Sequence, residues 1–154
     1  MLSFSSDFEL NVSMDNKMKI LIIDATGKKI LLALIFNKNL YTSTYINSKK
    51  NYDKLIILID KFLSKYKISL DTIKRIYVNR GPGSYAGIRS SLSIVKAINL
   101  SKKIDYYSFS YEDFLDQGNK YISSNNLNKI YNFKKLPNLC DKFNIKKNLI
   151  KPLY

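Results

Sequence analysis

The sequence predicts an α/β domain whose elements run strand, strand, strand, helix, strand, helix. Three observations carry that prediction. Apolar runs separated by short polar turns occupy residues 19–46, the pattern of an antiparallel meander. Residues 52–66 carry an apolar stripe at helical spacing, as an amphipathic helix requires. Residues 75–100 read as a strand, a glycine turn and a helix.

The first strand is Lys19-Ile20-Leu21-Ile22-Ile23-Asp24, a buried run ending on a carboxylate. Ala25-Thr26-Gly27-Lys28 makes the turn, and residues 30–36 form a second, almost wholly apolar strand. After Asn37-Lys38-Asn39, residues 40–46 alternate as a third. The helix at 52–66 places Tyr52, Leu55, Ile56, Ile59, Phe62, Leu63 and Tyr66 on one stripe, with Ile57 and Leu58 off it. A helix apolar on more than one side is deeply buried or meets a partner. Residues 70–73 connect to a strand over Arg75-Ile76-Tyr77-Val78-Asn79.

There follows Arg80-Gly81-Pro82-Gly83-Ser84-Tyr85-Ala86-Gly87-Ile88-Arg89, which holds three of the chain's five glycines. Glycine reaches backbone angles that a Cβ forbids and admits close approach of another backbone or a ligand. The turn opens onto a helix N-terminus, where free N–H groups favour an anion. Residues 88, 92, 95 and 98 set that helix's apolar face, with Ile94 and Ala97 beside it. Beyond it, residues 104–109 read as a short strand and Ser110-Tyr111-Glu112-Asp113 as a capping box opening a short helix. Residues 117–128 are polar and loop-like, 130–133 read as a strand, 136–143 as a short helix, and 148–154 as an extended tail. Residues 1–17 are expected to form a disordered leader, with Met14 and Met18 as later starts.

Composition narrows the chemistry. The chain of 154 residues has one cysteine, Cys140, and no histidine. Histidine-dependent nucleophilic catalysis and histidine-ligated metals are therefore excluded. Cys140 reads as a buried bystander and fits a reducing cytoplasm. No run is long and apolar enough to span a membrane. The formal charge of +14 invites a nucleic-acid reading. Lysine, isoleucine, asparagine and tyrosine dominate throughout, however, and the lysines look scattered along the chain. A solvated lysine surface is the default, with weak RNA affinity as the second reading.

The glycine turn fails the P-loop pattern, because Gly87 is followed by Ile88 and Arg89 rather than Lys-Ser/Thr. Gly81, Gly83 and Ala86 fit Gly-x-Gly-x-x-Ala, with Asp105 some twenty residues on. That fingerprint belongs after the first strand of a parallel unit, whereas a meander and a helix precede this one. Pro82 also removes an N–H that would face a pyrophosphate.

The run from Arg80 to Arg89 strongly resembles the Gly-Arg-Gly-Pro-Gly-Ser-Phe-Thr-Gly-Leu-Arg segment of the TsaB (YeaZ) family of tRNA threonylcarbamoyladenosine biosynthesis proteins. Ile23-Asp24-Ala25-Thr26 resembles the family's opening Ile-Asp-Thr strand end, and Lys96 and Ser110 fall at matching places. Lys151-Pro152-Leu153-Tyr154 resembles its Pro-Val-Tyr-Leu-Arg. Ala86 stands for the usual threonine, and Ser91 and Ala97 for two usual glycines. The resemblance covers about residues 18–115 and the last few; the family's second lobe looks largely deleted.

The resemblance implies a ribonuclease-H-like (ASKHA) lobe over 18–116 with a reduced C-terminal segment over 117–154. It implies a non-catalytic, cytoplasmic partner of TsaD, the subunit that transfers threonylcarbamoyl to adenosine 37 of tRNA. TsaE would join the complex, tRNA would be met indirectly, and a homodimer is an alternative pairing. TsaD holds a metal with a histidine pair that this chain lacks, so neither cofactor nor metal is expected. The implied partner interface lies on two helices: Tyr52, Leu55, Ile56, Ile59 and Leu63 on the first, Ile88, Leu92 and Val95 on the second. The glycine-turn motif comprises Arg80, Gly81, Pro82, Gly83, Ser84, Tyr85, Gly87 and Arg89, with Ser84 and Arg89 the places for residual anion binding. Asp24 and Thr26 are the candidate nucleotide contacts. In kinases of that superfamily the matching carboxylate holds magnesium; here Asp24 is read first as a turn cap. A small nucleotide-binding enzyme and a direct RNA-binding module stand as alternatives.

Overall fold

A five-stranded mixed sheet in the order β3-β2-β1-β4-β5 organises the computed structural model, which describes residues 18–114 and 130–154. Its strands are β1 (Ile20–Asp24), β2 (Lys29–Phe36), β3 (Asn39–Ile46), β4 (Arg75–Asn79) and β5 (Asp105–Phe109). The first three pair antiparallel, as short polar turns dictate; β1, β4 and β5 run parallel. The expected α/β class and the element order βββαβα are present, with the first helical segment in two pieces. The leader and the 117–128 loop lie outside the described residues.

Both faces of the sheet are covered, which is why the central strands read as unbroken apolar runs. Leu21 and Ile23 of β1 face one core, with Leu32, Leu34, Ile76 and Val78. Ile20 and Ile22 face the other, with Ala33, Tyr77 and Phe109.

Three helices cover the first face: α1 (Lys49–Asp53), α2 (Leu55–Ser64) and α3 (Tyr85–Lys102). The single helix expected at 52–66 is thus two. It begins earlier, at the Ser48 cap, whose hydroxyl accepts from Asn51 N at 3.3 Å. It breaks at Lys54, whose backbone is not helical. It ends after Ser64, where Lys67 turns left-handed and Ile68 N bonds Leu63 O at 3.1 Å, a Schellman-type stop. The buried stripe is also rotated from the expected one. Leu55, Leu58, Ile59, Phe62 and Leu63 are buried, while Ile56 is exposed. Leu58 therefore takes the core position expected of Ile56.

The second face is covered by the turn Tyr111–Phe114 and by α4 (Leu136–Lys142). Residues Ile130–Lys135 form a 3₁₀ helix rather than the expected strand. Phe133, Leu136, Leu139 and Cys140 recur at intervals of three or four and all enter the second core, a spacing that suits a helix lying on a sheet face.

Cys140 is 1% exposed, and burial pushes its thiol above the ordinary range. A thiol held neutral is a poor nucleophile. We expect a thiol reagent to label Cys140 slowly in the native protein and at once in concentrated guanidinium. Equal rates would show that the second face is open.

Candidate functional site

In open α/β sheets the carboxyl ends of parallel strands are where ligands bind. Here β1 ends on Asp24 and β4 on Asn79, side by side. Asn79 Nδ2 donates to Asp24 Oδ2 at 3.1 Å, and Asn79 Oδ1 accepts from Gly81 N at 2.9 Å. Asp24 Oδ1 accepts from Thr26 N at 3.0 Å and from Thr26 Oγ1 at 2.7 Å. The Tyr111 hydroxyl bonds the same carboxylate; burial, then that charge, hold its pKa above the usual tyrosine value. Both oxygens of Asp24 are thus engaged by the protein. Asn79 and Tyr111 were not apparent in sequence; the only available signal for Asn79 was an amide closing an apolar strand.

The glycine turn is filled from within. Gly81 (φ +112°) and Gly83 (φ +154°) occupy angles that side chains rarely adopt. A Cβ on Gly83 would fall onto the Thr26 carbonyl, on Gly87 onto the Ala25 carbonyl, and on Gly81 onto the Leu153 carbonyl. Backbone, not ligand, is what these glycines admit. Ser84 N donates to Thr26 O at 2.8 Å. The Ser84 hydroxyl caps α3 by accepting from Gly87 N at 3.1 Å and pairs with the Tyr52 hydroxyl at 3.1 Å. Three amides of the turn, those of Gly81, Ser84 and Gly87, therefore already have acceptors, and Pro82 has none to give.

Arg80 points away from the turn. Its guanidinium meets the Asp113 carboxylate at 2.6 Å and donates to Lys151 O at 3.0 Å. With side chains 12% and 19% exposed, the pair is largely out of water. It ties β4 to the 111–114 turn and to the tail. Asp113 also accepts from Ser110 N at 2.7 Å, and the Ser110 hydroxyl from Glu112 N at 3.2 Å, the reciprocal bonds of a capping box. The tail continues past the turn: Leu153 N donates to Arg80 O at 2.8 Å, and Tyr154 packs on Tyr85 at 4.5 Å between ring centroids. Upstream, the Asn148 side chain accepts from Tyr106 N at 3.0 Å and donates to Asp105 Oδ1 at 2.9 Å. Asn148 thereby caps the edge of β5. Arg89 is exposed.

The second region is the outer surface of α2 and α3. Leu55, Ile59, Leu63, Ile88, Leu92 and Val95, expected at a partner interface, lie in the lobe's own core at 3% exposure or less. They face the sheet because they are the stripes that dock the helices, so they cannot touch a partner. Tyr52 is half-buried, its hydroxyl on Ser84 and its carbonyl accepting from the Ser90 hydroxyl at 3.2 Å. Of the expected set, Ile56 alone is well exposed, at 42%, and Ile57 beside it reaches 49%. Both line a shallow depression of about 390 Å³ with Asp60, Leu70 and Lys102.

Among the described residues no three acidic or cysteine side chains converge as a metal site would require, and no helix is long and apolar enough to cross a membrane.

Residues 45–110 match the family model of TsaD, tRNA N6-adenosine threonylcarbamoyltransferase. The tRNA threonylcarbamoyladenosine biosynthesis protein TsaB of Buchnera aphidicola subsp. Schizaphis graminum is 31% identical over 98 residues, 64% of this chain and 47% of that protein. Among solved structures, YeaZ from Pseudomonas aeruginosa superposes with a TM-score of 0.57 at 17% identity, covering 64% of this chain and 46% of its own. A protein with similarity to peptidase YeaZ from Pseudomonas aeruginosa gives 0.56 at 17%, covering 66% and 50%. These superpositions establish the fold, that of a ribonuclease-H-like lobe. The chain spans about half the length of the curated relative it matches.

Proposed function

We propose that this chain is a TsaB-type protein, as its similarity to the Buchnera TsaB supports, and that it acts as the non-catalytic component of a tRNA threonylcarbamoyladenosine-forming complex, binding and supporting a TsaD-type subunit in the cytoplasm. The observation that carries the proposal is the pair Ile56 and Ile57, exposed side by side on the helical face. Large apolar side chains grouped at a surface mark contact sites more often than chance. Support comes from the carboxyl ends of the parallel strands, where Asp24, Ser84 and the amides of Gly81, Ser84 and Gly87 are bonded within the chain. A subunit with no histidine and a glycine turn packed against its own backbone is better suited to scaffolding than to transfer chemistry. A TsaE-type ATPase would join through the assembled pair, and the same face would serve a homodimer when the partner is absent.

Co-purification tests the proposal. The chain is expected to elute with a TsaD-type subunit as a stable heterodimer; failure of the two folded proteins to associate rejects it. Calorimetry with ATP, ADP and NAD should show no micromolar binding to the chain alone. Micromolar binding would favour the nucleotide-enzyme reading.

A further inference from the structure

We infer that the end of the sheet opposite the glycine turn is a binding surface for the phosphate backbone of RNA, and that this chain touches tRNA directly. The choice of RNA among polyanions rests on the function proposed above; the surface itself rests on topology. Lys19 precedes β1, Lys74 precedes β4 and Lys103 precedes β5. Because these strands are parallel and in register from Ile20, Arg75 and Asp105, three lysines far apart in sequence arrive at one rim. The Lys74 amide donates to Lys19 O at 2.9 Å, which fixes two of them as neighbours. Lys102, at the end of α3, joins them, and the four line one depression of about 460 Å³. Lys38 lies at the same end, in the turn closing the β2–β3 hairpin.

Counter-charge there is sparse. Asp71 is the one acid lining the depression, and it pairs with Lys102 at 2.6 Å. Asp105, which opens β5, is engaged by Asn148 and by Lys147 at 3.5 Å. Lys74 and Lys103 are exposed and carry no ion pair among the described residues. A concave cluster of lysines with one neutralised acid is the electrostatic footprint of a polyanion site.

The lining also selects the mode of contact. Among the described residues no aromatic side chain lines the depression; the half-buried Phe36 nearby carries the Lys19 ammonium on its ring at 5.2 Å, so the depression itself offers no platform for stacked bases. Its apolar members, Ile73 and Ile104, are 3% and 5% exposed, so it offers no anchor for a lipid surface. What remains is contact with phosphates, positioning without sequence readout.

The test is fluorescence anisotropy of a labelled, unmodified tRNA transcript with the full chain between 50 and 200 mM KCl. Wild type should bind, with log affinity falling linearly in log salt. Lys74→Gln/Lys103→Gln should reduce that slope by about two and weaken binding ~10-fold or more at the lowest salt. Lys28→Gln/Lys134→Gln, of equal charge change at exposed positions elsewhere, should bind as wild type. Three results would overturn the inference: no binding at the lowest salt, equal losses in both variants, or preference for phosphatidylserine vesicles over tRNA. Capture of a TsaD-type subunit by the Lys74→Gln/Lys103→Gln variant reports separately on the scaffold role. Loss of RNA with capture retained supports both readings; capture without any RNA affinity rejects only this one.

Discussion

Gly87→Ala is expected to destabilise the lobe by ~3 kcal/mol or more, a drop of about 10 °C in melting temperature. In an exposed helix the same change would stabilise by ~1 kcal/mol, because alanine is the better helix former. Here the added Cβ meets the Ala25 backbone carbonyl, and neither side can yield. β1 is held between β2 and β4. The first turn of α3 is fixed by its Ser84 cap and by the Ser84–Thr26 backbone bond. Relief requires α3 to lift from the sheet, which uncovers Ile88, Leu92 and Val95. Gly27 is the control, since a Cβ there meets nothing within 4 Å; Gly27→Ala should change stability by less than about 0.5 kcal/mol. Thermal unfolding of the two variants decides the matter. Equal melting temperatures would mean that the glycine turn is not the device that seats α3.

Ile56→Asp/Ile57→Asp is expected to weaken association with a TsaD-type subunit at least ~100-fold while leaving the melting temperature nearly unchanged. Side chains at the centre of an interface commonly contribute about 2 kcal/mol or more each, and ~1.4 kcal/mol is tenfold in affinity. Both isoleucines stand clear of the core, so a charge at either position meets water in the free chain. Leu58, one residue on, behaves differently. At 8% exposure it packs with Leu55 and Phe62, and Leu58→Asp should unfold the lobe.

The sheet was legible because covering both faces demands apolar runs, and short polar turns leave the meander few alternatives. The glycine turn was legible as geometry, since a strand, clustered glycines and a helix face abut in sequence. Its role was less so. That Gly83 and Gly87 admit the Thr26 and Ala25 carbonyls depends on contacts some sixty residues apart, which no local pattern records. The same holds for Arg80, whose partners are 33 and 71 residues away. Most residues of the expected partner set are buried for a different reason. An apolar stripe marks the face that docks to the sheet, and on this helix Leu58 rather than Ile56 completes it. Lys19, Lys74, Lys102 and Lys103 looked scattered because their common address is the end of a parallel sheet, a property of topology.

The proposed assembly requires that the outer helical face, rather than the glycine turn, meets the partner. Calorimetric titration of a TsaD-type subunit with wild-type chain and with Ile56→Asp/Ile57→Asp measures this most directly. The prediction is a one-to-one complex for wild type and, for the variant, at least a ~100-fold loss with the fold intact. A folded variant that binds as tightly as wild type would contradict it.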